Sequence, residues 1–344
     1  MHRDETVAGA KTGSEQFALS LKEQTPVQDT ECYEKLSLPI GIFTLDLRWV
    51  CRGGCTLRPS KRSGLTLIRD PHGLRMKTAI VTIAIGAAYS ARFRAHCECG
   101  WSRYADRHGF KLIVIEAPLD QTPRAAARSP AWQKCLVLRP DVAGSFDRVI
   151  WIDSDILIND RAPSIAEGIP FEKIGATDEN LFPSPQARRQ MFMLLMQQAE
   201  TINPGLAKTW ATYLDPADWH AAWGLPRSGR SIVQTGVLVL TPKHHRELLE
   251  HVYYNYEDHG GEPMNYEMRP LSFEIQKHGL LHVLDSRFNA LLIFLIMQRQ
   301  MHLCRALMPD ECAALLKSVF DQGYFLHLAG LKDSVNEFLT HLPK

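Results

Sequence analysis

Two aspartates, Asp153 and Asp155, stand one residue apart inside the stretch RVIWIDSDILIND, residues 148–160. On an extended strand, side chains at i and i+2 point to the same side, so the two carboxylates can converge on one object while Ser154 points away. Carboxylates held close together repel, and a proton, a basic side chain or a divalent cation relieves the repulsion. A hard cation suits such a pair best. Mg²⁺ and Mn²⁺ rarely rely on protein alone, because they also take phosphate oxygens of a substrate. A solvated strand end is the plain alternative for any Asp-x-Asp, but the flanks argue against it here. Val149 to Ile152 run in and Ile156 to Ile158 run out, all apolar, and unmatched charges between two pieces of core would be costly. The pattern reads as a cation held against a diphosphate.

Elements of a particular kind must deliver that pair. From Met76 the chain turns into MKTAIVTIAIG, a buried first strand, after irregular, Arg-, Pro- and Gly-punctuated sequence over residues 1–75. The spacing of Tyr89, Phe93, Cys97, Trp101 and Tyr104 predicts one helix from about Ala88 to His108 with an apolar face, closed at Gly109. KLIVIEAP then reads as a second strand, AWQKCLVL as a short helix and RVIWIDSD as a third strand. Strand, helix, strand, helix, strand implies parallel pairing with right-handed crossovers and an α/β fold. Such sheets bind ligands at the carboxyl ends of their strands, which is where the aspartates fall.

Further strands are expected at KIGAT, SIVQTGVLVL, LLHVLD and YFLHLA, with helices over about 243–257 and 265–278. Residues 181–230 read as an insert with a helical part, ARRQMFMLLMQQAE, and an aromatic part containing Trp210, Trp219, His220 and Trp223. Those rings suit either an acceptor platform or local core. Residues 1–75 are read as a dispensable leader, either disordered or an upstream start that is not the natural one, with the folded domain over 76–344.

The 39 basic and 38 acidic side chains nearly cancel, and 45% of the residues are hydrophobic, so neither a nucleic-acid partner nor wholesale disorder is expected. The start MHRDETVAGAKTGSEQ lacks the basic cap and apolar core of a secretory signal. The longest apolar run, ALLIFLIM at 290–297, is far short of the roughly 20 residues of a membrane span. The cytoplasm is the expected location. Cys51/Cys55 and Cys97/Cys99 lack the second paired knuckle of a zinc site and are read as reduced thiols.

The Asp153/Asp155 strand, together with HLAGLK at 327–332, resembles the metal-dependent glycosyltransferases of the GT-A fold, in particular family 8, the group that includes glycogenin and bacterial lipopolysaccharide galactosyltransferases. The resemblance spans roughly Lys77 to Lys332. It implies a Rossmann-like α/β fold, a mixed, mostly parallel sheet flanked by helices. It also implies sugar transfer from a nucleotide-diphosphate donor, UDP-linked by family expectation, with retention of configuration and with Mn²⁺ or Mg²⁺ as cofactor. By the same resemblance Asp153, Asp155 and His327 hold the metal, and Asp153 and Lys332 also meet the donor, Lys332 standing two residues after Gly330. Lys134 matches a basic residue that contacts the donor, and with Lys332 it would offset charge developing on the leaving diphosphate. Thr82, Ala84 and Tyr89 match the turn that holds base and ribose. Gln234, with Thr235 and Gly236, stands where relatives carry Asn-x-Gly against the donor sugar. Glu267 keeps a sugar-binding carboxylate whose usual following glutamine is Met268 here, and Asp178 follows a strand end near the sugar. The acceptor would be a hydroxyl of a glycan, a lipid-linked sugar or a protein.

Two other classes share parts of this pattern. A haloacid-dehalogenase-type phosphatase uses Asp-x-Asp with the first Asp as nucleophile, but wants Gly-Thr after the second; Ile156-Leu157 follows here, and no Asp-Asp occurs downstream. A non-catalytic nucleotide-sugar binding protein would keep Asp155 and His327 without turnover. No Walker loop or dinucleotide Gly-x-Gly-x-x-Gly is present.

Overall fold

The computed structural model describes residues 76–259, 266–303 and 307–329, so the leader 1–75 lies outside the described residues. The chain enters the fold through β1, Thr78–Ile83, whose TAIVTI is buried along almost its whole length, as befits a strand covered on both faces. Where one long helix is expected, two form: α1, Ala87–His96, and α2, Glu98–His108, with Cys97 between them at φ −108°. Trp101 anchors the new direction, its indole N–H donating to Ile156 O at 2.7 Å and its ring meeting Phe93 edge-on at 5.1 Å. Phe93, Cys97, Trp101 and Tyr104 are buried as expected, but Tyr89, at the start of the first helix, is 58% exposed. Gly109, at φ 71°, closes α2 in the left-handed region that favours glycine.

After β2, Lys111–Ile115, come the short α3, Pro123–Ala126, a 3₁₀ helix over Pro130–Leu136, α4, Pro140–Ala143, and then β3, Arg148–Ile152. β2 and β3 flank β1, both parallel to it, as the alternation of elements predicts. β4, Ile156–Ile158, belongs to a different sheet, and β5, Ile174–Asp178, returns to the first.

The expected insert is helical: α5, Pro185–Ile202, α6, Pro204–Thr212, and α7, Pro216–Ala221. Each begins with the same local logic. Ser184, Asn203 and Asp215 accept backbone N–H bonds as N-caps, and proline follows at the first helical position, where its missing N–H costs nothing. Trp210, Trp219, His220 and Trp223 are all buried, so they are local core and offer no open platform.

β6, Val233–Leu240, is followed by α8, Pro242–Asn255, α9, Met268–Lys277, and β7, Leu281–Val283. The chain closes with β8, Ala290–Leu291, α10, Leu292–Leu303, α11, Pro309–Gln322, and β9, Phe325–His327. The main sheet runs β2-β1-β3-β6-β5-β7, with β6 antiparallel to both of its neighbours and the other strands parallel to one another. This is a mixed, mostly parallel α/β sheet flanked by helices. A core of Val149, Trp151, Leu238 and Leu240 from the sheet, with Leu249, Val252, Leu271 and Ile275 from α8 and α9, fills one face. Because β6 runs against its neighbours, its first residues lie at the edge where β3 and β5 end.

Candidate active site

β3 leaves the main sheet at Ile152, and the chain crosses to the small sheet β4-β9-β8 through a turn made of Asp153, Ser154 and Asp155. The two aspartates are therefore not carried by one continuous extended strand. Ile156 N donates back to Asp153 O at 3.2 Å, and this turn, not strand pleating, sets the placement of the pair. Asp153 N donates to Gly236 O at 2.8 Å, fixing the turn to β6. On the far side, β4 pairs antiparallel with β9 in a register that sets Ile156 opposite His327, and Leu328 N donates to Asp155 O at 3.1 Å. The register brings a residue from the end of the described chain beside the pair.

One ligand atom from each of Asp153, Asp155 and His327 lies within 4.8 Å of the others. Each is aimed by a neighbour. Asp153 Oδ1 accepts from Trp151 Nε1 at 3.0 Å and pairs with Lys134 Nζ at 3.1 Å, which leaves Oδ2 toward His327 Nε2 at 4.0 Å. His327 Nε2 is 3.3 Å from Asp155 Oδ1, and its Nδ1 lies 2.8 Å from Asn289 Oδ1. Gly236 makes room for the ring: a Cβ there would sit 2.5 Å from His327 Cε1 and 2.9 Å from Nδ1. Two carboxylates and one imidazole, partly open to solvent on the aspartate side, form a donor set that fits Mn²⁺ or Mg²⁺.

The charges agree with this. Burial works to lower the basicity of His327, but Asp155 and then Asp153 outweigh it and hold the imidazole above its ordinary value. Burial works to raise the Asp155 carboxyl, and the His327 charge, with Lys134, holds it below the usual range. The two carboxylates that act on His327 in this way are the charges that would attract a divalent cation.

Lys134 stands on the 3₁₀ helix Pro130–Leu136 and is buried. Its ammonium lies 2.8 Å from Glu267 Oε1, 3.1 Å from Asp153 Oδ1 and 3.3 Å from Thr235 O, and 5.5 Å from the centre of the Trp151 ring. Burial opposes the charge, yet Asp153 and Glu267 together raise its pKa above the ordinary lysine value. The lysine expected to contact the donor meets protein acceptors, tying the cation-ligand side of the site to Glu267.

Glu267, just before α9, is 2% exposed. Its Oε1 accepts from Thr235 Oγ1 at 2.9 Å as well as from Lys134, while its buried Oε2 has no hydrogen-bond partner among the described residues. A buried carboxylate oxygen left open costs free energy unless a ligand hydroxyl satisfies it. Gln234 is fixed at both ends of its amide: Oε1 accepts from Gly236 N at 3.0 Å, and Nε2 donates to Glu179 Oε2 at 3.3 Å. Glu179 is paired in turn with buried Arg188 at 2.9 Å.

Thr82 and Ala84 are buried at the carboxyl end of β1, one strand from Asp153, with Thr82 Oγ1 unpartnered among the described residues. Tyr89 is exposed just beyond them on α1. Asp178 ends β5, where one of its oxygens accepts from Asn180 N at 3.0 Å and Ile232 N at 3.1 Å. Gly330 and Lys332 lie outside the described residues. Cys97 and Cys99 are free thiols, the first buried and the second exposed. Trp151, Glu179 and Asn289 are not singled out by the sequence; only Asn289, at the head of ALLIFLIM, borders an apolar run, while Trp151 lies inside one and Glu179 stands among polar residues. Among the described residues, no helix is long and apolar enough to cross a membrane.

No protein-family model matches the chain, and no curated protein sequence matches it. Among solved structures, the chain is similar to a glycosyltransferase involved in the glycosylation of the major capsid of PBCV-1, at 14% identity and a TM-score of 0.44, over 76% of this chain and 98% of that one. It is similar to the galactosyltransferase LgtC, solved with donor and acceptor sugar analogues, at 13% identity and a TM-score of 0.41, over 77% of this chain and 96% of that one. It is also similar to mouse xyloside xylosyltransferase 1, at 15% identity and a TM-score of 0.37, over 74% of this chain and 98% of that one.

Proposed function

We propose that this protein is a metal-dependent glycosyltransferase of the GT-A type, moving a sugar from a nucleotide-diphosphate donor, UDP-linked, to an acceptor hydroxyl with retention of configuration. The observation that carries the proposal is the convergence of Asp153 Oδ2, Asp155 and His327 Nε2 beside a buried carboxylate, Glu267, one of whose oxygens has no hydrogen-bond partner among the described residues. Asp153, Asp155 and His327 would hold Mn²⁺ or Mg²⁺, which when bound supplies electrostatic stabilisation of the charge developing on the leaving diphosphate.

The chain's own residues do the rest. Lys134 bridges Asp153 and Glu267, and so holds the donor's diphosphate end and sugar end in fixed relation. Glu267 Oε2 accepts a sugar hydroxyl, and the clamped Gln234 amide steadies the reacting carbon's surroundings. Thr82, Ala84 and Tyr89 receive base and ribose, and Asp178 and Lys332 complete the donor contacts. The acceptor hydroxyl, on a glycan, a lipid-linked sugar or a protein, attacks from the face the diphosphate leaves and gives its proton to the departing phosphate.

The test is release of UDP from a panel of UDP-sugars with and without Mn²⁺. Metal-dependent release that Asp155→Ala abolishes is expected. Release that persists in Asp155→Ala, or hydrolysis of a simple phosphate ester in place of sugar transfer, would overturn the proposal.

A further inference from the structure

The pairing of β5 with β6 shifts register between Gly175 and Thr177, opposite the stretch of β6 that holds Gln234 and Gly236. There Gly236 N donates to a side chain, Gln234 Oε1, at 3.0 Å. The other end of the same amide, Nε2, donates to Glu179 Oε2 at 3.3 Å. A backbone N–H only donates and a carboxylate only accepts, so both contacts choose the same orientation of the amide. Turning it over would set N–H against N–H at Gly236 and oxygen against oxygen at Glu179. Gln234 is 8% exposed and Glu179 6%, so water offers little relief.

Glu179 is itself held in place. Its N–H donates to Ile232 O at 2.8 Å, just before β6, and its Oε1 accepts from Arg188 Nη2 at 2.9 Å. Arg188, on α5, is buried; its guanidinium lies 4.6 Å from the centre of the Phe192 ring and donates through Nη1 to Tyr213 O at 2.6 Å. A guanidinium cannot accept, so an acceptor must face it from Glu179 whatever meets the other oxygen. With Oε1 committed to Arg188, Oε2 is left for Gln234. We propose that Glu179, held by Arg188, is a positioning residue that fixes the orientation of the Gln234 amide, so that the insert helix α5 sets the polar surface the donor sugar meets. The inference rests on reading the site as one of sugar transfer.

Glu179→Gln tests it with almost no change of shape. Arg188 commands the carbonyl of the new amide, so the NH₂ faces Gln234 Nε2, donor against donor, and the Gln234 amide is driven from its orientation. Initial rates of UDP release are measured on the full chain with Mn²⁺ and UDP-glucose, UDP-galactose, UDP-N-acetylglucosamine, UDP-xylose or UDP-glucuronate, and UDP affinity is measured by calorimetry. On the donor that wild type uses, kcat should fall at least about tenfold, while KM and the affinity for UDP stay within about threefold. Arg188→Met frees the new amide to turn its carbonyl to Gln234. Glu179→Gln/Arg188→Met should therefore restore kcat at least about threefold over Glu179→Gln, a rescue that a merely structural role would not give. Glu179→Gln with wild-type kcat, or a double variant no faster than Glu179→Gln, would overturn the inference. If the double variant does not fold, Gln234→Asn decides. Because Glu179 acts through Gln234, the losses of Glu179→Gln and Gln234→Asn should not multiply when combined, and losses that do multiply overturn the inference. Wild-type protein that releases UDP from none of these donors refutes the sugar-transfer reading and the role of Glu179 in it. The ¹⁵N–¹H signal of the Gln234 side-chain amide, assigned by its loss in Gln234→Met, then decides the contact separately: it should shift in Glu179→Gln, and an unmoved signal shows that Glu179 does not hold it.

Discussion

Replacing Lys134 with methionine removes one ammonium and strands two carboxylates that face it at 2.8 and 3.1 Å. The larger part of the cost comes from Glu267, whose side chain is 2% exposed; Asp153, at 27%, is partly relieved by water. Methionine fills most of the lysine's volume, so the loss is electrostatic and not a cavity. Removing one partner of a buried pair costs about 3–5 kcal/mol. At about 2 °C per kcal/mol for a body of this size, Tm should fall by about 6–10 °C. The assay is thermal and urea unfolding of metal-free protein, with the companion variant Lys134→Met/Glu267→Gln. The glutamine amide of that variant would still accept from Thr235 Oγ1 but carries no stranded charge, so the double variant should recover more than half of the loss. A Lys134→Met protein within about 1 kcal/mol of wild type would refute the reasoning, as would a double variant whose loss equals the sum of the singles. A lysine that served only to meet phosphate would change nucleotide binding and leave the unfolding curve unmoved.

Three further outcomes are expected. His245 is buried and accepts from Thr241 N at 2.8 Å; burial, helped by His244 and Arg148 and opposed by Glu172, pulls its pKa from 6.5 down to about 4. Because the unfolded chain takes up this proton first, the His245 contribution is complete above about pH 6.5 and is lost as pH falls toward 4, by roughly 3 kcal/mol; His245→Gln should flatten that limb of the stability–pH curve, and an unchanged slope would contradict the assignment. In Gly236→Ala the new Cβ, 2.5 Å from His327 Cε1, must displace the ring, so Mn²⁺ affinity should fall at least about tenfold with a stability loss of about 1–3 kcal/mol; a variant binding Mn²⁺ like wild type would show that the ring does not need this space. His327→Ala should lose Mn²⁺ affinity while staying folded in far-ultraviolet circular dichroism, and loss of folded protein instead would make the imidazole a core residue.

The first half of the sheet was legible because its strands are short apolar runs separated by helical spacing and turn residues, which is all that β1, β2 and β3 need to declare themselves. Direction was not legible. VQTGVLVL is buried at every position, and a strand buried on both faces has no alternation to distinguish parallel from antiparallel, yet the reversal of β6 is what carries Gln234, Thr235 and Gly236 to Asp153. The flanks of the Asp-x-Asp pair reveal it but mislead about its geometry: three apolar residues after Asp155 look like continued strand, whereas they begin a second sheet. The bend at Cys97 breaks no spacing rule and depends on Trp101 reaching a carbonyl far along the chain. The aromatic insert was ambiguous because rings at helical spacing serve core and ligand equally well, and burial resolved it. Asn289 and Glu179 act through partners dozens of residues away, His327 and Gln234, and no local pattern encodes such a contact.

The central claim is that Asp153, Asp155 and His327 join a divalent cation to a nucleoside diphosphate, and thermal unfolding with UDP, with Mn²⁺, with both, and with both plus chelator tests it most directly. A ligand present at about 100 times its dissociation constant stabilises by about 2.7 kcal/mol, enough for a readable shift. The account predicts a rise in Tm that needs both components, vanishes with chelator and is absent in Asp155→Ala. A rise with UDP that ignores Mn²⁺ and chelator, or one that Asp155→Ala retains in full, would contradict it.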